Sequence, residues 1–286
     1  MTPTNPSLAA LERFVADHPR LFVLTGAGCS TASGIPDYRD TDGAWKHRQP
    51  VQYQNFIRHE CVRQRYWARS LIGWQRFATA QPNEAHYALT QMEARGRIRQ
   101  LVTQNVDGLH QRAGSREVID LHGRLDTVEC LECAHAIARA DLQRELETRN
   151  PDFSDLAAAA APDGDAALEN VDFGGFDIPP CGHCGGVLKP AVVFFGESVP
   201  HKRVDAAYTA LAAADAVLVV GSSLMVYSGY RFCQTAAEHG KPIAGINLGR
   251  TRADDLLSLK IAAPCADVLT ALLYRLGSRS VSAATH

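Results

Sequence analysis

The sequence predicts an α/β fold built on a doubly wound parallel sheet, and three observations carry this prediction. Short, continuously apolar runs recur along the 286-residue chain, as expected for parallel strands that are buried on both faces. Each run ends in small polar residues, and stretches of helical periodicity separate the runs. The four predicted strands are residues 21–25 (LFVLT), 99–103 (RQLVT), 216–220 (AVLVV) and 242–246 (PIAGI).

Six helical patterns separate or flank these strands. In doubly wound sheets, ligands bind beyond the carboxyl ends of the strands. Glycine, serine, asparagine and aspartate residues follow the predicted strands, so the sequence predicts one ligand cleft at that edge. The predicted helices are residues 7–15, 62–78, 83–94, 204–214, 229–239 and 267–276.

Composition and charge narrow the function classes. The chain is 46% hydrophobic and 21% charged, with a formal net charge of −2, which is typical of a soluble globular protein and argues against nucleic-acid or anionic-membrane binding. It has no run of 18 apolar residues, so no membrane span is expected. The N-terminus lacks the basic and apolar regions of a targeting signal, and Glu12 and Asp17 lie where such a signal avoids acids, so a cytoplasmic location is expected.

Two stretches do not fit the alternation of strands and helices. Residues 36–80 lack a strand signal and are strongly helical, which predicts a helical module inserted after the first strand. Residues 125–189 contain two Cys-x-x-Cys pairs and the Ala/Asp/Pro/Gly-rich segment 156–170, for which a loop is expected. The final residues, 277–286, are small and polar and are expected to form a flexible tail.

Four of the eight cysteines form the two Cys-x-x-Cys pairs, Cys130 with Cys133 and Cys181 with Cys184. Two such turns can supply four thiolates in a closed tetrahedral shell, so the arrangement predicts one structural zinc ion that stabilises the module. The alternative is two unrelated pairs, one of them a redox motif. Zinc is favoured because no thioredoxin-like pattern surrounds either pair.

Two strand ends carry residues suited to a nucleotide. The turn from Gly26 to Gly28 lets backbone N–H groups approach a diphosphate, but Thr31 stands where a G-x-G-x-x-G pattern requires glycine. A simple strand–helix turn is therefore an equal alternative. The second strand ends in Gln104, Asn105, Val106 and Asp107. These side chains suit a ribose or an amide, and an Asx-type turn is again an equal alternative.

His122 is the candidate general base. It lies between the predicted cleft and the cysteine module, beside Gly123, and an unperturbed histidine titrates near neutral pH. A packed or solvated histidine is the alternative. The segment 194–197 (FFGE) is expected to end a strand with core phenylalanines, and an extended edge there can also pair with a peptide.

Taken together, the motifs resemble those of the sirtuins, the NAD-dependent protein deacylases, over nearly the whole chain. The matching segments are TGAGCSTASGIPDYR (25–39), TQNVDGLH (103–110), DLHG (120–123), both Cys-x-x-Cys pairs, LKPAVVFFGE (188–197), VVGSSLMVYSG (219–229) and INLG (246–249). The stretch RQRYWARSLIGWQRF (63–77), with APDGD and RTRADDL, resembles the class II branch, which includes bacterial proteins and the vertebrate mitochondrial sirtuin four.

The resemblance implies a two-domain architecture. A Rossmann-like, NAD-binding large domain is expected from residues 1–35, 81–124 and 190–276. A small domain is expected from the helical module, residues 36–80, and the zinc module, residues 125–189. This division accommodates both stretches that break the alternation.

The resemblance also implies which residues bind the two substrates. The residues expected to contact NAD are Gly26, Ala27, Gly28 and Ser30 at the diphosphate, Pro36, Asp37, Tyr38 and Arg39 in a flexible loop, Gln104, Asn105, Val106 and Asp107 at the nicotinamide and its ribose, Gly221, Ser222 and Ser223 at the phosphates or adenine ribose, and Asn247, Leu248, Gly249 and Cys265 at the adenosine. The residues expected to pair with the acyl-lysine chain are Val193, Phe194, Phe195, Gly196, Glu197, Met225, Val226 and Tyr227. Two departures from the family pattern are Cys29, in place of an aliphatic residue, and Tyr38, where many sirtuins have phenylalanine.

The implied reaction is transfer of an acyl group from lysine to ADP-ribose. The acyl oxygen attacks the anomeric carbon of the nicotinamide ribose, nicotinamide leaves, and His122 acts with Asn105 as the catalytic pair, His122 being the general base on the ribose hydroxyls. The alternatives are ADP-ribosyl transfer to a protein and a non-enzymatic NAD-binding adaptor; the presence of Asn105, Asp107 and His122 argues against the adaptor. The substrates are expected to be acyl-lysine proteins or peptides, acetylated or with longer chains, and the protein is expected to be a monomer.

Overall fold

The computed structural model describes residues 5–46, 50–154, 159–160, 166–167 and 172–282. The helices in these ranges are α1 (Asn5–Asp17), α2 (Tyr53–Arg58), α3 (Glu60–Thr79), α4 (Glu84–Ala94), α5 (Leu109–Arg112), α6 (Arg139–Arg149), α7 (Pro151–Ser154), α8 (His201–Ala212), α9 (Tyr227–Glu238) and α10 (Cys265–Ser282). The strands are β1 (Leu21–Thr25), β2 (Ile98–Thr103), β3 (Val118–Asp120), β4 (Gly123–Cys130), β5 (Ala136–Ala138), β6 (Ala159–Ala160), β7 (Ala166–Ala167), β8 (Leu188–Val192), β9 (Ala216–Val220), β10 (Ile243–Ile246) and β11 (Leu259–Ile261). Short 3₁₀ turns cover Ala27–Cys29, Thr31–Ser33 and Asp254–Leu256.

Six parallel strands form the central sheet, in the order β11–β10–β9–β1–β2–β3. All four predicted strands belong to it, which confirms the α/β fold class and the parallel sheet. The sequence does not predict β3 and β11, because each has three residues and is only partly buried. Such short edge strands leave no apolar run that a pattern can detect.

Helices cover both faces of this sheet, which makes it doubly wound. Leu21 and Val23 of β1 pack in a core cluster with residues of α1, α4 and α10. Phe22 and Leu24 pack in a second cluster with residues of α8 and α9. Because alternate residues of a strand point to opposite faces, a strand covered on both faces is apolar on both, as the first four residues of β1 are.

A small antiparallel sheet, in the order β5–β4–β8, lies in the part of the chain that breaks the alternation. Its core cluster joins this sheet to α2, α3, α6 and α7 and is rich in aromatic side chains, including Phe56, Tyr66 and Trp67. The cluster also contains Cys130 and Cys181, so the cysteine module and the helical module share one core. The loop predicted over residues 156–170 lies outside the described residues, apart from β6 and β7.

The C-terminal helix is longer than the sequence predicts. A flexible tail is expected from residue 277, but α10 continues to Ser282. Gly277 lowers helix propensity without breaking the helix, and the following residues contain no proline that would end it. Residues 283–286 lie outside the described residues. No helix in the described part of the chain is long and apolar enough to cross a membrane.

Candidate active site

A cavity of about 730 Å³ lies at the carboxyl ends of β1, β2, β9 and β10, where the sequence predicts the ligand cleft. Its volume is in the range of sites for small molecules and cofactors. It brings together residues that are up to 239 positions apart in the chain, from Ala27 to Ala266. The predicted site residues that line it are Ala27, Gly28, Asp37, Tyr38, Arg39, Gln104, Asn105, Val106, His122, Val193, Phe194, Phe195, Gly196, Glu197, Gly221, Ser222, Ser223, Val226, Tyr227, Asn247, Leu248, Gly249 and Cys265.

Five predicted residues are not among those that line the cavity: Gly26, Ser30, Pro36, Asp107 and Met225. Ser30 is buried, and its hydroxyl donates to the Asp107 carboxylate at 2.7 Å, so both side chains support the cavity wall from behind. The same carboxylate accepts the backbone N–H of Leu109 at 2.9 Å. Direct contact of Ser30 and Asp107 with a ligand stays a prediction.

The glycine-rich turn after β1 packs against the turn after β9. The Gly28 N–H donates to the Gly221 carbonyl at 2.8 Å. Gly221 has φ of +61°, and a Cβ atom there would lie 2.3 Å from the backbone nitrogen of Cys29. Glycine is required at residue 221 because the backbone is left-handed and the other turn is in contact with it. The pair of turns forms a wall of the cavity without bulky side chains, where a phosphate can approach the backbone.

The segment after β2 ties the ends of three strands together. The Gln104 amide donates to the Ser222 hydroxyl at 2.7 Å, at the end of β9. The Asn105 amide donates to the Gly26 carbonyl at 3.1 Å and to the Ser30 hydroxyl at 3.0 Å, at the end of β1. These bonds fix both polar side chains at the cavity, which is more than an isolated Asx-type turn requires.

His122 follows β3 and is held in one tautomer. Its Nδ1 lies 2.8 Å from the Gln104 carbonyl oxygen, which can only accept, so Nδ1 carries the proton in the neutral ring. Its Nε2 therefore has the lone pair and lies 2.7 Å from the Ser228 hydroxyl. Burial lowers the pKa of His122 to about 4, and the positive charges of Arg231 and Arg203 act in the same direction. The ring is thus a neutral base at neutral pH.

The FFGE segment, residues 194–197, lines the cavity and is held in place by a hydrogen bond and an ion pair of Glu197. The Glu197 carboxylate accepts the backbone N–H of Phe194 at 2.8 Å and lies 3.2 Å from the Lys189 ammonium. The backbone N–H of Val193 donates to the His122 carbonyl at 2.8 Å. The predicted peptide-binding segment is therefore fixed directly beside the candidate base.

The structure adds cavity residues that the motifs do not predict. Trp45, from the helical module, packs between the rings of Tyr38 and Phe195, with centroid distances of 6.1 and 5.5 Å. Ser228 and Arg231, on α9, also line the cavity. The resemblance includes Ser228 in the segment 225–228 that is expected to pair with the substrate main chain, but it assigns the Ser228 side chain no role. No pattern of spacing points to Trp45, which acquires its position from tertiary packing.

The four predicted metal ligands form one cluster. Cys130 Sγ lies 3.4 Å from Cys184 Sγ, and Cys133 Sγ lies 3.8 Å from Cys181 Sγ. All four sulfur atoms lie within 4.8 Å of one another. Tetrahedral zinc with bonds of about 2.3 Å needs sulfur atoms roughly 3.8 Å apart, so this donor set fits a structural zinc ion.

A second group of possible ligands, Cys29, His86 and His110, is buried, and Cys29 of this group also lines the cavity. Cys29 is buried in the large-domain core, as expected of a small hydrophobic residue. His86 Nδ1 accepts the backbone N–H of Asn83 at 3.2 Å, which leaves the proton of the neutral ring on Nε2. That capping bond occupies the lone pair of His86, so in this arrangement the neutral ring has none to offer a metal ion.

A model of the Sir2 family matches residues 26–228 of the chain. The chain belongs to the Sir2 family, the sirtuins. This sirtuin is 61% identical over 272 residues to a protein of Xanthomonas campestris pv. campestris (strain 8004) named NAD-dependent protein deacetylase, covering 95% of this chain and 92% of the relative. It is 60% identical over 262 residues to a protein of Bordetella bronchiseptica with the same name, covering 92% and 96%.

Solved sirtuin structures share the fold. One, described as a Sir2 protein with a p53 peptide and NAD⁺, has a TM-score of 0.75 and 29% identity, and the match covers 94% of this sirtuin and 98% of that chain. Another, described as Sir2 bound to acetylated peptide, has a TM-score of 0.74 and 28% identity, with the same coverage. The placement of this sirtuin in the class II branch stays a prediction.

Proposed function

We propose that this sirtuin is an NAD-dependent protein-lysine deacylase that releases nicotinamide and O-acyl-ADP-ribose. The observation that carries this proposal is the position of His122. It is a neutral base in a single tautomer, and it shares one cavity with the paired glycine turns and the FFGE segment. An adaptor that only binds NAD needs no such base.

The relatives support the same activity. The proteins from Xanthomonas and Bordetella, at about 60% identity, carry the name NAD-dependent protein deacetylase. Two related solved structures are described with peptide, one of them also with NAD⁺. The cavity offers both the phosphate-binding turns and the peptide segment that such ligands require.

NAD supplies an electrophilic ribose carbon with nicotinamide as its leaving group. The paired turns at Gly28 and Gly221 would lie against its phosphates, because neither glycine has a side chain to keep a phosphate away. Gln104 and Asn105, fixed by their bonds to neighbouring strands, would orient the nicotinamide ribose. Because the acyl oxygen is a weak nucleophile, this orientation is the main source of rate in the first step.

His122 would then take a proton from a ribose hydroxyl. The Gln104 carbonyl keeps Nδ1 protonated, so Nε2 is the only nitrogen of the neutral ring that can act as the base. A positioned general base contributes about 10²–10⁴ in rate. Zinc takes no part in this chemistry, because four thiolates close its shell and leave no open position.

The acyl group is expected to be uncharged. The cavity wall near the helical module is apolar and includes Val51, Tyr66 and Leu125. A cation that could select an acidic acyl group, Lys46, already forms an ion pair with Asp37. In the described part of the chain, this apolar wall favours acetyl and longer aliphatic groups over dicarboxylic ones.

The test is nicotinamide release from NAD with a panel of acyl-lysine peptides. Wild type should release nicotinamide and deacylate with an uncharged acyl peptide, whereas His122→Ala should keep its fold and lose deacylation by a factor of 10² or more. His239→Ala, at the exposed end of α9, is the matched control and should match wild type. Release without any acyl peptide, with added mass on a protein target, would instead establish ADP-ribosyl transfer.

A further inference from the structure

Ser228 stands between the candidate base and the cavity. It is the second residue of α9, is half-buried, and lines the cavity together with His122. Its hydroxyl oxygen lies 2.7 Å from His122 Nε2. Among the described residues, Ser228 is the hydrogen-bond partner of that nitrogen.

The hydrogen bond has a defined direction. Since Nδ1 of the neutral ring donates to the Gln104 carbonyl, Nε2 can only accept, and Ser228 must be the donor. The one lone pair of His122 is therefore already in use. A substrate hydroxyl reaches His122 either by displacing Ser228 or by passing its proton through the Ser228 oxygen.

The backbone of Ser228 is held in place. Its carbonyl accepts the side-chain Nε of Arg231 at 3.2 Å, and the following N–H of Gly229 donates to the Val226 carbonyl at 3.2 Å. The Cβ position of Gly229 lies 2.4 Å from the Gln104 side chain, so this end of α9 is packed closely against the segment that orients His122. Ser228 can rotate its hydroxyl but has little freedom to leave Nε2.

We propose that Ser228 is a catalytic residue that relays a proton from a hydroxyl of the nicotinamide ribose to His122. This proposal rests on the proposed deacylase function. The ribose O–H bond breaks and its proton forms a new O–H bond on Ser228. The original Ser228 O–H bond breaks and its proton forms an N–H bond on Nε2. The electron pair left on the ribose oxygen makes it the nucleophile, and His122 holds the positive charge.

A serine hydroxyl suits this relay because it is donor and acceptor at once. It donates to the neutral ring, and it can turn to accept from the protonated ring. The bond between the two residues therefore persists through both protonation states. Positive charges at Arg203 and Arg231 favour return of the ring to its neutral form after turnover.

The experiment compares Ser228→Ala, Ser228→Thr and a control, Thr235→Ala. Thr235 lies two turns further along α9, is half-buried and is not among the cavity residues, so its variant removes a hydroxyl from the same helix outside the site. Two activities are measured: deacylation, and the exchange of nicotinamide into NAD, which precedes the proton transfer. Imidazole ¹⁵N NMR without NAD supplies a readout independent of activity, with the His122 signals assigned by their absence from His122→Ala.

The relay predicts a split between the two activities. Ser228→Ala should lose deacylation by about 10²-fold while keeping nicotinamide exchange, and Ser228→Thr should restore most of the lost rate. Adding Ser228→Ala to His122→Ala should cost nothing further, because the two residues act as one unit. In the NMR spectrum, Ser228→Ala should move the Nε2 signal downfield, as expected for a lone pair that has lost its hydrogen bond. Thr235→Ala should match wild type in every measurement.

Each other outcome overturns the relay. Deacylation by Ser228→Ala within about threefold of wild type would mean that His122 contacts the substrate directly. Parallel loss of exchange and deacylation would assign Ser228 to substrate binding. An unchanged Nε2 signal in Ser228→Ala would show that the hydrogen bond between Ser228 and His122 does not form in solution. Failure of the wild type to release nicotinamide with any acyl peptide would overturn the deacylase function, and the relay with it, and is recognised in the unmodified protein before any variant is made.

Discussion

The two sheets of this sirtuin reach stability by different routes. In the six-stranded sheet, β1, β9 and β10 are buried at every position, and apolar clusters cover both faces. In the three-stranded sheet, β8 is buried at four of its five positions, but β4 mixes buried and exposed residues and β5 has no buried position. The small sheet is therefore covered less completely than the large one.

Polar groups and sulfur complete the core of the small domain. Arg139 is 1% exposed and lies 5.5 and 5.1 Å from the rings of Trp67 and Trp74. Cys130 and Cys181 are buried beside this aromatic cluster. The difference between the two sheets leads us to expect that the six-stranded sheet is stabilised mainly by apolar burial, whereas the region of the three-stranded sheet also needs a metal ion on its four thiolates.

The largest expected effect is loss of the metal site. Cys181→Ser removes one of four zinc ligands, so we expect the ion to be lost and the small domain to unfold, because metal binding in such modules is coupled to folding. The large sheet should keep its fold. Hydrogen exchange with mass spectrometry should show protection lost in residues 50–79 and 123–149 and kept in β1, β2 and β9, with deacylation abolished.

Cys61→Ser is the matched control for this variant. Cys61 is exposed on α3 and lies outside the thiolate cluster. The control should keep one zinc ion, measured by elemental analysis, and full protection. A Cys181→Ser protein whose small domain stays protected without zinc would break the contrast between the two regions.

A backbone clash in the large domain should come next in size. Gly221→Ala places a Cβ atom 2.3 Å from the Cys29 nitrogen at a residue with φ of +61°. We expect a loss of about 2–4 kcal/mol in the free energy of unfolding, from overpacking and left-handed strain together. NAD affinity should fall as well, because the two glycine turns must separate. Urea denaturation and calorimetric NAD binding measure both effects.

Gly240→Ala isolates the strain from the clash. Gly240 has φ of +67°, but a Cβ atom there meets nothing within 4 Å. It should cost about 1 kcal/mol and leave NAD binding unchanged. Equal costs at the two positions would contradict the close packing of the turns.

Particular residues show how far the sequence could predict this molecule. The apolar runs predict β1 and β9 to the residue, because burial on both faces leaves a continuous signal. The four cysteines, widely separated in the chain, form one cluster as the Cys-x-x-Cys spacing predicts. Such local patterns carry over directly to structure.

Other features depend on contacts that no local pattern encodes. The edge strand β3 is too short and too exposed to be predicted, although it leads directly to His122. The bond from Ser228 to His122 joins residues 106 positions apart. Trp45 packs at the cavity against Phe195, which lies 150 positions further along the chain. Sequence motifs predict most residues of the site but not the contacts that orient them.

Acidification should also lower the free energy of unfolding, by an amount that grows as the pH falls below 6.5. Burial holds the pKa of His86 at about 4 and that of His110 well below 6.5, so both rings are neutral in the folded protein. In the unfolded chain they titrate near 6.5, and below that pH the unfolded chain binds more protons. Stability is therefore fully present above pH 6.5 and is lost as the pH falls toward 4, by up to about 1.4 kcal/mol per pH unit for each ring.

His110→Gln tests this titration. The Gln side chain can still donate to the Thr25 hydroxyl, the partner of His110 at 2.9 Å, but it does not titrate. The variant should lose less unfolding free energy than wild type between pH 6.5 and 5.5, as measured by urea denaturation. Both proteins contain the same zinc ligands, so metal release at low pH affects them equally. Identical pH slopes would mean that His110 does not contribute.

The smallest effect should come from the buried cation of the small domain. Arg139 donates to the carbonyl and hydroxyl of Ser70, each at 3.2 Å, while its Nη1 has no hydrogen-bond partner. Burial lowers the pKa of Arg139 to about 10, which shows that the charge is poorly compensated. Arg139→Met loses these bonds and the indole contacts but also removes the cost of burying the charge. We therefore expect the free energy of unfolding to fall by about 1 kcal/mol or less.

Arg139→Lys should be more destabilising, because an ammonium keeps the charge and cannot stack on Trp67. If methionine cost more than lysine in urea denaturation of the zinc-loaded protein, the cation itself would be required, and the small domain would depend on charge as strongly as on its metal.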